Sequence, residues 1–319
     1  MQAAAPSPAA DPPAGMTPHP VPTPITGLAL AAGAFDDHLA RLGKTVNTRR
    51  AFASDLRLLA ERVGDRRSIG SITTDDLEAF LSWLRSYRAQ PCSPKSYARR
   101  VTTLKVFFAW LTQSEVLAHD PALAVVHRAA EAPLPLVLSD DEAARLLGAA
   151  QARARARPSD PRPALMVRLL LDTGLKKGEL ARLRTADIAA DADPPTLLVR
   201  YDNPRWRDKE RRVAFSATTI PLVAAYRARY HCGDRLFGCT DRNLEYILAD
   251  LVRAAHLPEA TSFETLRWTS GLRAWRAGVD PERLREQLGL SPITWADTAR
   301  KLELLDPGVG AGGAVPRYY

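Results

Sequence analysis

The sequence predicts a mainly α protein of two units: a small all-helical domain, then a larger, mainly helical domain carrying a β-hairpin or small sheet. Three observations carry that expectation. Apolar residues recur at close to 3.6-residue spacing from about Leu28 to Arg128. The run Ala132-Pro133-Leu134-Pro135 then interrupts the pattern as a linker would. Only two short stretches, Thr196 to Arg200 and Arg212 to Phe215, read as strands, joined by a polar, basic loop. At 319 residues the chain has room for two domains of ordinary size.

The elements follow in order. Residues 1–27 are dense in proline and alanine, which forbids a helix and offers little apolar surface to offset ordering, so a disordered tail is expected there. Within 28–130, Phe52, Leu56, Leu59 and Val63 share one helix face. Thr73 and Thr74 precede a helix with Leu77, Phe80, Leu81 and Leu84 turned inward. Ser93-Pro94 reads as an N-cap and first-turn proline, with Tyr97, Val101, Leu104, Phe108 and Leu111 as the apolar stripe behind it. The opposite side of that helix carries Lys95, Arg99, Arg100 and Lys105, a basic row expected to face solvent.

After a linker at 131–137, Ser139 and Glu142 form the pattern of a capping box ahead of Ala143, Leu146 and Leu147. Helices continue through Leu165–Leu171 and Gly178–Arg184, and beyond the hairpin at roughly 222–230, 242–255, 265–277, 281–288 and 293–303. Asp280-Pro281 opens one of them and Gly289 closes it. The second domain is thus expected over 138–305, with a flexible, Gly-rich tail over 306–319.

Composition narrows the function. The formal net charge is +8, and arginine far outnumbers lysine among the 44 basic side chains. A cationic excess favours a polyanionic partner, and the guanidinium fork suits phosphate. No window approaches 18 consecutive apolar residues, the first Lys or Arg is Arg41, and the three cysteines are too few for a disulfide framework. No membrane partner is expected, and a cytoplasmic, nucleoid-associated setting fits. His231-Cys232 with Cys239 lacks the second cluster a metal site needs, so ordinary packing is expected there. Gly174 and Gly178 lack the Gly-Lys-Ser/Thr ending of a nucleotide-binding loop, and Trp268 and Trp275, seven apart, read as core.

Several separated boxes, in order, resemble the tyrosine recombinase (phage integrase) family over about residues 30–303. The helical unit, His119-Asp120-Pro121-Ala122 and Leu138-Ser139-Asp140-Asp141-Glu142 look like that family's SAM-like core-binding domain and linker. Asp172-Thr173-Gly174-Leu175-Lys176-Lys177-Gly178-Glu179-Leu180 is similar to the box holding the first catalytic arginine. The hairpin ending Lys209-Glu210-Arg211-Arg212-Val213 resembles the family's second and third strands. Thr265-Leu266-Arg267-Trp268 with Gln287-Leu288-Gly289 resembles the stretch around the second arginine. The resemblance implies a C-shaped clamp on double-stranded DNA, with an active recombinase or another copy of the chain as a further candidate partner. It implies no cofactor and no metal. The chemistry is attack of a tyrosine hydroxyl on a backbone phosphorus, with arginines on the non-bridging oxygens and lysine and histidine moving protons.

Most of the family's catalytic positions are substituted. The first arginine maps onto Lys176, which keeps charge but loses the bidentate grip. The histidine ahead of the second arginine maps onto Glu264, an anion, while Arg267 retains the second arginine itself. The donor after the Leu-Gly stop maps onto Leu290, and the nucleophile, ten residues past Gly289, onto Ala299. No tyrosine lies between Tyr246 and Tyr318. A gapless count puts Trp206 at the hairpin lysine position, leaving Lys209 as the alternative.

The leading expectation is therefore a DNA-binding member of the family that no longer cuts strands. Lys95, Arg99, Arg100 and Lys105, with Arg205, Arg207 and Lys209 of the hairpin loop, would touch phosphates. One rival is an active recombinase with a re-sited nucleophile, Tyr318 or Tyr319, Thr298 being a far poorer one. Another is a protein-interaction scaffold in which Glu264 pairs with Lys176 or Arg267 and closes the old phosphate pocket.

Overall fold

The computed structural model describes residues 19–86, 92–126, 133–230 and 232–306, apart from the side chain of Arg205. The chain divides into two compact units, with the boundary in sequence between Pro133 and Leu134.

The first unit holds α1 (Leu28–Arg41), α2 (Val46–Val63), α3 (Thr74–Ser86) and α4 (Pro94–Gln113). Caps set the starts of α2 and α4. The hydroxyl of Thr45 accepts from the Thr48 N–H, and that of Ser93 from the Ser96 N–H with Pro94 in the first turn. The inward faces bury Phe35, Leu56, Leu59, Leu77, Phe80, Leu84, Val101, Leu104, Phe107 and Phe108 in one core. The helix spacing read from the sequence thus places the apolar stripes where the core is.

One expectation fails in this unit. The proposed disordered tail does not extend through residues 19–27. The Pro24 and Thr26 carbonyls accept from the Gly70 and Ile69 N–H groups, Gly27 pairs with Ser68, and His19 meets Asp37 at 2.9 Å. Proline forbids a helix here, but its carbonyl remains an acceptor, and an extended segment can lie against the turn between α2 and α3. Residues 1–18 lie outside the described residues, as do the tail beyond Asp306 and the linker residues Glu131 and Ala132.

The second unit runs α5 (Asp140–Arg155), α6 (Arg162–Thr173), α7 (Lys177–Arg182), β1 (Ile188–Ala189), β2 (Thr196–Val199), β3 (Arg211–Ala214), α8 (Ile220–Arg229), α9 (Asp241–Ala254), α10 (Phe263–Arg276), α11 (Pro281–Gln287) and α12 (Pro292–Leu305). The capping box at Ser139 and Glu142 forms in full. Helix α6 is apolar on nearly every side and sits at the centre of the larger core, among Leu146, Leu180, Leu197, Val213, Leu248 and Leu266. A smaller cluster joins α10, α11 and α12 through Leu272, Trp275, Leu284, Leu288 and Leu302.

The hairpin belongs to a three-stranded antiparallel sheet of order β1-β2-β3, with Leu197 opposite both Ile188 and Val213. The small sheet agrees with the expected fold class, although strand β1 has two residues, too few to show an alternating pattern from which its position could be read. The loop between β2 and β3 closes as a 3-10 turn over Pro204–Lys209. No described helix is long and apolar enough to cross a membrane.

Candidate functional site

The boxes that resemble the family converge in the second unit on the C-terminal end of α11. A helix ends with carbonyls that have no intrahelical donor and with the negative pole of its dipole. Four successive carbonyls here are met by cationic side chains from four places in the chain. Arg211 Nε, from β3, donates to Gln287 O at 2.8 Å. Arg267 Nη2, from α10, donates to Leu288 O at 2.6 Å. Lys176 Nζ, at the start of α7, reaches Gly289 O at 3.5 Å, and Arg285 Nη1 donates to Leu290 O at 2.8 Å.

One buried carboxylate balances the cluster. Glu179, on α7, accepts from both arms of the Arg211 guanidinium, at 3.2 and 3.0 Å. It also accepts from the Tyr201 hydroxyl and the Lys176 N–H. Burial alone would raise the Glu179 carboxyl, but these donors and the Arg211 charge hold it down at about 2. The reciprocal effect falls on Tyr201, whose phenol is pushed up to about 12 by burial and by the Glu179 carboxylate. Burial likewise lowers Lys176 from its ordinary value, with Glu179 opposing and Arg267, Arg211 and Lys209 adding to the fall. Sequence reading passed over Glu179, Tyr201 and Arg211 as site residues, although two of them lie inside the boxes that carried the resemblance.

Beside this cluster opens a cavity of about 470 Å³ whose lining includes Lys176, Glu179, Arg182, Tyr201, Trp206 and Lys209. Trp206 is exposed, and Lys209 Nζ lies 4.2 Å from its ring centroid, a cation–π contact. Arg207 is exposed on the same turn, and the side chain of Arg205 lies outside the described residues.

The remaining mapped positions can be placed in turn. Arg267 is buried, donating also to Gly174 O through Nη1, and burial lowers its pKa. Arginine remains a cation even so. Leu290 packs on the α10–α12 cluster. Ala299 is buried on α12, and the neighbouring Thr298 hydroxyl turns back to Thr294 O at 2.9 Å. Tyr318 and Tyr319 lie outside the described residues.

The expected pairing of Glu264 with Lys176 or Arg267 is not what forms. Glu264 is exposed and accepts from Trp268 Nε1 one turn along its own helix, at 3.0 Å. Lys176 instead reaches Gly289 O and lies 3.7 Å from Glu179, and Arg267 donates to the Gly174 and Leu288 carbonyls. Trp275 is buried as expected and Trp268 half-buried, while Cys232 and Cys239 pack partly buried against the main core. His231 lies outside the described residues.

In the first unit the basic row of α4 divides. Lys95 is exposed and Lys105 half-buried. Arg99 and Arg100 both turn to Asp55 on α2, Arg99 Nη2 at 2.7 Å and Arg100 Nε at 3.4 Å from the same carboxylate oxygen. The Thr103 hydroxyl donates to the other oxygen at 2.9 Å. Burial pushes the Asp55 carboxyl up, against the pull of Thr103 and the two guanidinium groups. Arg100, at 12 % side-chain exposure, therefore does not belong to a solvent-facing row. A buried carboxylate draws in the cation nearest it, and helix spacing alone does not reveal that carboxylate.

Residues 33–115 match the family model described as phage integrase, N-terminal SAM-like domain. The chain is 31% identical over 259 residues to tyrosine recombinase XerC of Mycobacterium sp. (strain JLS), a match spanning 79% of this chain and 81% of that protein. It is 37% identical over 158 residues to tyrosine recombinase XerC of Mycobacterium tuberculosis, covering 48% of this chain. In that match the chain spans about half of the relative's length, 52%. The fold is similar to a lambda integrase dimer bound to a COC' core site, with a TM-score of 0.68 at 16% identity, covering 92% of this chain and 81% of that one. It is also similar to the Tn1549 transposon integrase in complex with transposon right end DNA, with a TM-score of 0.67 at 17% identity, covering 88% and 100%. At such identities the likeness is one of fold.

Proposed function

The chain belongs to the tyrosine recombinase family, and from that premise we propose that it binds duplex DNA in a recombination context without cutting or rejoining the strands. The observation that carries the loss of chemistry is Ala299. A buried methyl group stands where the family's resemblance places the nucleophile, and it has no lone pair with which to attack phosphorus. Thr298 beside it has its hydroxyl committed to Thr294.

The surroundings support the same reading. Arg267 spends donors on Gly174 and Leu288 carbonyls, Leu290 offers no donor, and Glu264 would repel a phosphate. Tyr201 stands in the cavity, but its phenol donates to Glu179 and is pushed up to about 12, the opposite of activation.

DNA binding rests on the net charge of +8 and on the DNA that the similar lambda and Tn1549 integrases hold. Lys95, Arg99 and Lys105 on α4, with Arg205, Arg207 and Lys209 in the hairpin loop, are the phosphate contacts in this reading. Arg100 is withdrawn from that set by Asp55. This reading calls for no cofactor or metal. A nucleoid-associated setting and partnership with an active recombinase or a second copy follow as proposals of the same kind.

Two measurements on the full chain test the reading. Affinity for random-sequence duplex should fall linearly with salt on logarithmic axes, with a slope worth several phosphates. A nicked duplex that traps a covalent intermediate should yield no adduct after denaturation. An adduct would replace this reading by an active recombinase using Tyr201, Tyr318 or Tyr319. Absence of binding even at low salt would replace it by a protein-interaction scaffold.

A further inference from the structure

The buried carboxylate in the first unit has a consequence for DNA binding that rests on the reading above. Asp55 is 3 % exposed at its side chain and faces three donors on α4: Arg99, Arg100 and Thr103. The two arginines are not equivalent. Arg100 is 12 % exposed at its side chain, its Nε and Nη1 find no hydrogen-bond acceptor, and its Nε lies 3.4 Å from the Asp55 carboxylate. Arg99 is 40 % exposed and donates to Asp55 through Nη2 at 2.7 Å, its other donors being uncommitted among the described residues.

We propose that Asp55 is a positioning residue for DNA binding: it pins one arm of Arg99 so that the rest of the guanidinium is presented, already oriented, to a backbone phosphate, while Arg100 serves the interior. An arginine side chain free on a helix surface loses rotamer entropy when it grips a phosphate. A charge-assisted bond to a buried carboxylate removes part of that loss in advance. The net charge of Asp55, Arg99 and Arg100 together remains +1, so the carboxylate orients without cancelling the attraction. The Thr103 hydroxyl fixes the second carboxylate oxygen and with it the plane in which Arg99 is held.

The test is a double-mutant cycle in binding of the full chain to random-sequence duplex, read at several salt concentrations. Arg99→Ala should lower the salt slope by about one phosphate. Asp55→Asn keeps the shape and removes the charge, and should weaken binding about fivefold in the otherwise native chain. In the Arg99→Ala background it should weaken binding no further. Arg100→Ala should lower the melting temperature and leave the slope unchanged. Thr103→Val is the milder probe if Asp55→Asn unfolds the unit, and its loss of affinity should also vanish in the Arg99→Ala background.

A merely structural Asp55 predicts the same loss in both backgrounds, and that result would overturn the proposal. So would tighter binding by Asp55→Asn, which is the outcome if the carboxylate only neutralises the row. If the native chain binds no duplex at all, the functional reading itself fails, a result distinct from either of these.

Discussion

Arg211 on β3 and Glu179 on α7 form a two-pronged ion pair in the interior of the second unit, with guanidinium and carboxylate side chains only 10 % and 1 % exposed. The pair ties the sheet to the helix that follows the Gly174 turn, and Arg211 extends the tie to Gln287 at the end of α11. Removing one member leaves the other charged and buried, which costs about 3–5 kcal/mol, whereas replacing both by apolar groups of similar size is often near neutral. Glu179→Leu and Arg211→Met should each lower the melting temperature of the second unit sharply, and the double variant should recover much of the loss. Additive losses in the calorimeter would show that the two side chains act separately.

The same pair sets a pH dependence. Glu179 is held at about 2 in the folded chain against an ordinary 4.5, so its contribution is present above about 4.5 and is lost as pH falls towards 2. The shift corresponds to about 3 kcal/mol. Stability followed by tryptophan fluorescence between pH 5 and about 2 should decline steeply in the native chain. Glu179→Gln should decline less over that window, from a lower starting stability. Parallel curves would assign the acid sensitivity to other carboxylates.

Gly289 is required by the same corner. Its φ is +58°, and an added Cβ would stand 2.6 Å from Arg211 Nη1. The side chain that would have to yield is the one fixed by Glu179 and Gln287. Gly289→Ala should therefore cost more than the roughly 1 kcal/mol of left-handed strain alone. Combining it with Arg211→Met should reduce the cost to about that strain, as measured by thermal melts of the four chains.

On the proposed reading, placing a tyrosine at position 299 should not by itself give cleavage. Ala299→Tyr inserts a large ring at a buried site and costs about 1–3 kcal/mol by overpacking. It leaves Lys176, Glu264 and Leu290 unchanged. A nicked trapping duplex should still give no covalent adduct on a denaturing gel. A single-substitution gain of adduct would mean that the remaining side chains support catalysis as they stand.

Most of the helical framework was legible from sequence because its determinants are local. Ser93-Pro94, Ser139 with Glu142, and Asp280-Pro281 each start a helix where the cap predicts, since the hydroxyl or carboxylate reaches an N–H three residues away. The stripes of α3 and α4 are buried for the same reason: helical spacing alone puts Leu77, Phe80, Leu81 and Leu84 on one side. Strand β1 was not legible because two residues show no alternation, and the packed segment 19–27 because it is held by hydrogen bonds to residues distant in sequence.

The residues at 176, 264, 290 and 299 could be read from order and spacing against a family pattern, and the proposed loss of chemistry rests on that reading. Which side chains pair around those positions was decided by tertiary structure. Glu179 and Arg211 are 32 residues apart, and Asp55 and Arg99 are 44 apart. Nothing in the local pattern distinguishes Arg100 from Arg99, or marks Asp55 as buried. The distinction arises when α2 meets α4, and when β3 comes beside α7 and the end of α11. Only then does a carboxylate lose its water, and the low-dielectric interior then requires the nearest guanidinium to turn towards it.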